Sequence, residues 1–236
     1  MLRMSKVAIM QPYLFPYIGY FQLLNAVERF VLYDNIQYTK RGWINRNKFL
    51  RNGEAVIFSL PLAGAAEGLD IRDRFVSANF NKDKFLNPLR ESYRKAPYYE
   101  GVMALVERVA RQPESNLFKF LYFSILETCR YIELDREIII SSTLDLDHTL
   151  HGQDKVLAIC QHLGASTYVN PIGGLNLYSK EYFAINSIDL RFLKASEFEY
   201  EQAGSTFVPW LSIIDVLMFN SPAQIKQQIE SGFQLI

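Results

Sequence analysis

The chain has 236 residues, with 25 basic and 25 acidic side chains, so its formal net charge is zero. This balance argues against a protein that holds nucleic acid by general electrostatic attraction, because such proteins are basic. Apolar residues make up 49% of the chain and charged residues 21%, which argues against disorder. The length predicts a single α/β domain over residues 1–236, with a helical subregion near 82–134 and a helical tail over 207–236.

Cysteine content and hydropathy indicate where the protein resides. Cys129 and Cys160 are too few for a disulfide framework, so we expect core thiols in a reducing compartment. The sequence contains no secretory apolar region and no apolar run of membrane-spanning length. We therefore expect a cytoplasmic protein that does not insert into a membrane.

The first third of the chain begins with a strand, a helix and a second strand. This order is typical of a parallel sheet, so we predict a Rossmann-like, mostly parallel fold that starts with a β-α-β unit. A resemblance of residues 17–20 to a family motif, described below, implies that this unit is nucleotidyltransferase-like. A hairpin insertion should follow, because Asn52-Gly53 is a strong turn signal. The predicted elements are a strand over Lys6–Met10, a helix over Ile18–Glu28, a strand over Phe30–Tyr33 and hairpin strands over Trp43–Leu50 and Glu54–Leu60.

The remainder of the chain adds helices and continues the alternation. A small flexible loop over Ala63–Leu69 precedes a possible strand over Asp70–Val76. Further strands are predicted over Glu137–Ile140, Thr167–Asn170 and Asp189–Leu193. Helices are predicted over Lys82–Lys95 (with Pro88 as a kink or start), Val102–Arg111, Ser115–Leu134, Gln153–Leu163, Ser179–Ala184, Trp210–Phe219 and Pro222–Gly232.

The loop after the first strand is the first candidate site. Ligands of open α/β sheets bind beyond the carboxyl ends of the strands, and a helix N-terminus attracts anions. The order Tyr17-Ile18-Gly19-Tyr20 resembles the His-x-Gly-His element of nucleotidyltransferases and pantothenate synthetases, with tyrosine at both histidine positions. Tyrosine donates hydrogen bonds without positive charge, so adenylyl transfer does not follow, and core packing explains the aromatic residues equally well. We predict catalytic roles for Tyr17 and Tyr20 and ligand contacts from Gln11, Pro12, Tyr13 and Gly19.

A cationic segment after the second strand is the second candidate. Residues 35–53 contain no acidic side chain but five basic ones: Lys40, Arg41, Arg46, Lys48 and Arg51. Such a segment beside a carboxyl edge suits a phosphorylated ligand, with arginine forks on phosphate and aromatic rings stacked on a base or sugar. A solvated hairpin face is the alternative. The predicted ligand contacts are Gln37, Tyr38, Lys40, Arg41, Trp43, Asn45, Arg46 and Lys48.

Polar residues at other strand ends are weaker candidates. Asp34 follows the second strand and is the predicted general base, although a turn role is equally plausible. Asp215 matches a helix cap better than a base, and the acidic and histidine residues around His148 suit a surface loop better than a metal site. Contacts to a phosphate or sugar are predicted for Ser141, Ser142, Asn170, Gly173 and Gly174.

The long motifs at both ends of the chain resemble the WbqC-like protein family. The resemblance is carried by Val7–Leu24, Val31–Lys48, Ser141-Ser142, Tyr168–Tyr178 and Phe207–Asn220. It implies a place in O-antigen or other surface-polysaccharide assembly, where family members are linked to acyl or aminoacyl decoration of amino sugars. The expected partner is then a nucleotide-linked sugar or another phosphorylated small molecule, with a nucleotide or an acyl donor as co-substrate. A non-catalytic sugar-nucleotide-binding module and a nucleotidyltransferase are the alternatives.

Overall fold

The fold is built on a six-stranded sheet with a separate two-stranded hairpin and eight α-helices among the described residues. The structure is a computed structural model that describes residues 5–64, 68–204 and 206–236. The strands are β1 Lys6–Met10, β2 Arg29–Leu32, β3 Arg46–Arg51, β4 Glu54–Ser59, β5 Glu137–Ile140, β6 Thr167–Pro171, β7 Asp189–Ala195 and β8 Phe233–Leu235. The helices are α1 Ile18–Asn25, α2 Lys82–Tyr93, α3 Tyr99–Arg111, α4 Leu117–Tyr131, α5 Gly152–His162, α6 Lys180–Ile185, α7 Ile213–Phe219 and α8 Pro222–Ser231.

The strand order of the large sheet is β5-β2-β1-β6-β7-β8, and every pairing is parallel except that of β7 with β8. The chain runs outward from β1 through β2 to β5 and then returns to β6 on the other side of β1. The direction of winding therefore reverses between β1 and β6, and open α/β sheets bind ligands at the carboxyl end of such a reversal. This topology confirms the predicted mostly parallel α/β fold with a hairpin insertion and added helices.

Two cores cover the two faces of the sheet. Ala8 belongs to the larger core, which also contains the buried side chains of α1–α4, α7 and α8. Val7 and Ile9 point to the opposite face and pack with α5 and α6, as expected for alternate residues of a strand. Helices α2–α4 lie in the region predicted to be helical, and the single-domain organisation stays a prediction. Among the described residues, every helix is too short or too polar to cross a bilayer.

Several elements differ from their predicted bounds for local physical reasons. The strand expected over Asp70–Val76 is a 3-10 turn at Ile71–Asp73, and Val76 and Phe75 make only isolated bridges. The helix expected from Trp210 begins at Ile213, because Trp210 adopts a φ of 60° and Ser212 caps the helix. Strand β8 was not predicted, and residues 65–67 of the expected loop lie outside the described residues.

Candidate functional site

Hydrogen bonds tie the hairpin to the loop after β1, which brings the two main predicted motifs together. Buried Asn47 donates its amide to the carbonyls of Leu14 and Phe15, at 3.1 and 2.7 Å. The Leu14 amide donates to Ile44 at 3.0 Å. Phe15 has a φ of 41°, in the left-handed region that bulky residues avoid, and Ser212 also donates to its carbonyl at 2.7 Å. These bonds hold a strained loop in one conformation, as functional sites often do.

The junction encloses a cavity of about 250 Å³, which we call the Lys48 pocket. Lys48 supplies its cation, and the ammonium lies 5.4 Å from the centroid of the Trp43 ring. Trp43 is 40% exposed, so part of its surface remains available to a ligand. The pocket is lined by Tyr13, Pro16, Tyr17, Trp43, Asn47, Lys48 and Trp210. A cation beside aromatic rings suits an anionic group that is attached to a flat base or a sugar ring.

Two tyrosines give the Lys48 pocket neutral hydrogen-bond donors. Burial, together with a smaller contribution from the neighbouring Tyr17, raises the pKa of Tyr13 to about 12. Burial also raises the pKa of Tyr17, which sits at the start of α1. Both phenols are therefore protonated at neutral pH. They can donate to a phosphate or carbonyl oxygen but cannot replace the charge of a histidine pair.

Gly19 is required by the ring of Tyr17 rather than by a ligand. A Cβ atom at Gly19 would lie 2.3 Å from Cε2 of Tyr17, far inside contact distance. The ring of Tyr17 lies over the first turn of α1 because this residue has no side chain. The neighbour of Gly19 is thus a side chain of the chain itself, the ring that forms one wall of the pocket, and the predicted ligand contact at Gly19 stays a prediction.

Several predicted site residues, including Tyr20, which was predicted to be catalytic, have partners in the local structure. Tyr20 has no exposed surface and donates its hydroxyl to the Gln11 carbonyl at 3.1 Å, so the residue offers no contact to a ligand. Pro12 is buried as well. Tyr38 donates to Asn45 at 2.8 Å, and its ring lies under the guanidinium of Arg74.

The five cations of the predicted segment do not form one cluster, although Arg46 and Lys48 both approach the Trp43 ring, at 5.7 and 5.4 Å from its centroid. Arg46 donates to the carbonyls of Gly42 and Arg41, at 3.0 and 2.6 Å, so its guanidinium braces the turn before β3. Arg51 pairs with Glu91 at 3.1 Å. Gln37, Lys40 and Arg41 lie at the exposed end of the segment. Of the five predicted cations, Lys48 alone is among the described residues that line the pocket.

Asp34, just after β2, accepts hydrogen bonds from the two serines that follow β5. Its carboxylate is 2% exposed and accepts from Ser141 Oγ at 2.8 Å, from the Ser142 amide at 2.9 Å and from Ser142 Oγ at 2.6 Å. The two serines therefore bind this carboxylate where we expected them to bind phosphate. The arrangement joins the ends of β2 and β5, and the base role of Asp34 stays a prediction.

The turn after β6 is also organised by side-chain packing. Asn170 accepts from the Tyr168 hydroxyl at 3.2 Å. A Cβ atom at Gly174 would lie 1.8 Å from the Asn170 amide nitrogen, so a larger residue here would displace the Asn170 side chain. Gly173 is exposed at the tip of the turn. This turn flanks the reversal between β1 and β6, opposite Gln11, and its predicted ligand contacts stay predictions.

A buried lysine in the first turn of α5 was not predicted from the sequence. Lys155 is 1% exposed, and its ammonium donates to His148 Nδ1 at 2.9 Å and to the Asp147 carbonyl at 3.2 Å. Asn35 also donates to His148 Nδ1 at 2.9 Å. Burial lowers the pKa of Lys155. The helical pattern of α5 did not indicate that Lys155 is buried, because a lysine in a helix is normally predicted to lie on the solvent-exposed face.

Asp215 accepts three hydrogen bonds in the core and does not reach the Lys48 pocket. Its oxygens accept from Tyr93 at 2.7 Å, Tyr200 at 2.7 Å and Gln202 at 2.9 Å. Burial raises the pKa of Asp215, and the three donors oppose that shift. Ser212 forms the predicted cap, accepting from the Ile214 amide at 3.2 Å.

Within the described ranges, no group of three or more His, Cys, Asp or Glu side chains is arranged to hold a metal.

The fold and pocket define a doubly wound α/β protein with an aromatic cavity, lined also by Lys48, at the start of its first helix. The model of the WbqC-like protein family matches residues 11–227, so the chain belongs to this family. It is also 26% identical over 224 residues to the uncharacterized protein Rv1507c of Mycobacterium tuberculosis, covering 94% of this chain and 96% of the relative. No solved structure matches the chain significantly.

Proposed function

We propose that the protein joins an acyl or aminoacyl group to the amino group of a nucleotide-linked sugar during surface-polysaccharide assembly. The observation that carries the proposal is the Lys48 pocket, where the chain's two long motifs meet. Membership of the WbqC-like family, with its implied link to amino-sugar decoration, supports the same function. The position of the pocket beside the carboxyl end of β1 suits a nucleotide ligand.

The pocket's side chains suggest how the nucleotide would be held. Trp43 offers a ring face for the base or sugar, and the Lys48 ammonium would neutralise a phosphate oxygen. The phenol of Tyr17 would donate a further hydrogen bond. The protein would then act mainly by proximity, holding the amine beside an activated carboxyl carbon. The new C–N bond forms as the leaving group departs with its electron pair, and the amine proton passes to a base.

The burial of Asp34 favours a second candidate, a sugar-nucleotide-binding module without turnover. Its carboxylate already accepts three hydrogen bonds, and a base needs a free lone pair facing its substrate. A binding module predicts stabilisation by a nucleotide-linked sugar without product. Nucleotidyl transfer would instead release pyrophosphate from a nucleoside triphosphate, and we expect none because tyrosines stand in place of the histidine pair.

The test combines turnover with binding. The full chain is incubated with UDP-glucosamine or a dTDP-linked 4-amino sugar, with carboxylic acids and ATP or with acyl carriers, and amide product is sought by mass spectrometry. Lys48→Ala should weaken the affinity for the nucleotide sugar about tenfold, the value of one charge-assisted contact. Lys95→Ala, which removes an exposed lysine outside the pocket, is the matched control and should change nothing.

The outcomes separate the candidates. Amide product that falls with Lys48→Ala supports the acyl transferase. Binding of a nucleotide-linked sugar without product from any donor would support the binding module. Release of pyrophosphate would indicate nucleotidyl transfer. Failure of every nucleotide-linked sugar to bind would reject both the transferase and the module.

A further inference from the structure

A second and larger cavity lies on the other side of Tyr17 and Trp210. Its volume is about 470 Å³, within the range of small-molecule sites. It is formed by the start of α1, the segment that follows β7 and the segment that precedes α7. We call it the Glu197 cleft, and five of its aromatic side chains are Tyr17, Phe198, Tyr200, Phe207 and Trp210.

The charge of the Glu197 cleft is opposite to that of the Lys48 pocket. Glu197 and Glu199 both line the cleft, and no basic residue is among the described residues that do so. Neither carboxylate has a hydrogen-bond or ion-pair partner in the described part of the chain. The two glutamates are exposed, so their charges are available to a ligand rather than used by the fold.

Tyr17 and Trp210 form the wall that the two cavities share. Their ring centroids lie 6.0 Å apart in an edge-on arrangement. Trp210 is 70% exposed although it is the largest kind of side chain, and its backbone has a φ of 60°. Holding a tryptophan in this region costs free energy, and the result is a ring that faces both cavities.

We propose that the Glu197 cleft binds a primary ammonium group carried on a sugar ring, and so forms the acceptor subsite of this protein. The inference rests on the proposed function, which supplies the amino sugar, and it assigns the residues that select the amine. Ammonium groups are attracted to aromatic ring faces and to carboxylates, and the cleft supplies both. The apolar faces of a sugar ring pack on the surrounding aromatic rings.

The two cavities together match the charge pattern of a nucleotide-linked amino sugar. The phosphates would lie beside Lys48, the sugar would pass the wall formed by Tyr17 and Trp210, and the amine would face Glu197 and Glu199. A neutral hydroxyl in place of the amine loses the charge attraction. The cleft therefore distinguishes an amino sugar from its hydroxyl counterpart.

The test measures this preference by calorimetry. UDP-glucosamine is compared with UDP-glucose, and a dTDP-linked 4-amino-4,6-dideoxyglucose with the same compound bearing a hydroxyl group. We expect the amine to bind about tenfold more tightly in at least one pair. The double variant Glu197→Gln, Glu199→Gln should remove this preference while leaving the affinity for the hydroxyl compound unchanged. Glu201→Gln, which changes an exposed acid outside the cleft, should keep the preference.

Two results would overturn the proposal: equal binding of amine and hydroxyl compounds by the native chain, or a preference that survives the double variant. A second experiment uses sugars without a nucleotide, so that its result does not depend on the proposed function. Methyl glucosaminide and methyl glucoside are compared by saturation-transfer NMR, where only the amine should show contact that the double variant loses. A preference for the amine without amide product would reject the transferase but support this subsite. Amide product without a preference for the amine would support the transferase but reject this subsite.

Discussion

At the scale of single residues, the site depends on which side chains are absent as much as on which are present. Replacing Gly19 by alanine would force the Tyr17 ring away, because the new Cβ would lie 2.3 Å from Cε2 of that ring. Alanine favours the helix by up to about 1 kcal/mol, which offsets part of the strain. We expect little change in the free energy of unfolding but about a tenfold loss of affinity for a nucleotide-linked sugar, measured by urea denaturation and calorimetry.

Gly101→Ala provides the matched control for this variant. Gly101 also lies near the start of a helix, but its Cβ would approach Tyr131 no closer than 3.1 Å, at the hydroxyl oxygen, with the nearest ring carbon at 3.6 Å. It should alter neither affinity nor fold. Unchanged affinity in Gly19→Ala would show that Tyr17 does not shape the ligand site.

Residue roles could be predicted only where they depend on neighbours in sequence. Gly19 could be singled out because its close neighbour, Tyr17, lies only two positions away in the sequence. Asp34 meets Ser141 across 107 positions, so the sequence could place both at strand ends but not reveal that they bind each other. Lys155 meets His148 only because α5 folds its first turn back under the preceding loop.

At the scale of elements, Asn47 links the hairpin to the loop after β1. Asn47→Ala would leave the carbonyls of Leu14 and Phe15 without this donor, and the strained φ of Phe15 would lose part of its support. We expect the free energy of unfolding to fall by about 1–3 kcal/mol. Hydrogen exchange should also rise over residues 14–17, of which Pro16 and Tyr17 line the Lys48 pocket.

Asn79→Ala is the control, since Asn79 is exposed and should change the free energy of unfolding by no more than about 0.5 kcal/mol. Normal exchange over residues 14–17 in Asn47→Ala would show that other contacts hold the loop.

The elements themselves were predictable where their own pattern determined them. Strands β1 and β5 have the bounds that their apolar runs predict, and the Asn52-Gly53 turn adopts the positive φ values that its residues favour. Strand β8 has only three residues and exists because it pairs with β7, so no local pattern marks it. The segment after Asp70 carries strand-forming residues, but it pairs only at isolated bridges.

At the scale of the whole molecule, zero net charge conceals two cavities of opposite sign. The Lys48 pocket carries a cation and the Glu197 cleft carries two acids, on either side of the wall formed by Tyr17 and Trp210. The sequence indicated the cationic side, because its basic residues cluster within one short segment. It did not indicate the acidic side, since Glu197 and Glu199 look like ordinary surface residues until β7 brings them beside α1.

The aromatic content predicts how the whole fold responds to alkali. Burial raises the pKa of Tyr13 and Tyr33 to about 12, and raises that of Tyr20 and Tyr168 well above 10. In the unfolded chain these phenols ionise near pH 10, so above that pH the native state holds more protons and loses stability as pH rises. Each phenol whose pKa is about 12 should cost about 1 kcal/mol at pH 11. Burial lowers the pKa of Lys155, so this one group makes the native state more stable as pH rises, against the effect of several tyrosines.

We therefore expect the free energy of unfolding in urea to be similar at pH 8 and 9 and to fall steeply between pH 10 and 12. Tyrosinate absorbance from the buried phenols should appear together with the loss of far-ultraviolet circular dichroism, because burial keeps these groups protonated until the chain opens or the pH approaches 12. Exposed phenols would titrate earlier and separately. Full tyrosinate absorbance while the circular dichroism remains native would show that the aromatic cluster around α1 is open to solvent, and would remove the rigid aromatic wall on which both cavities depend.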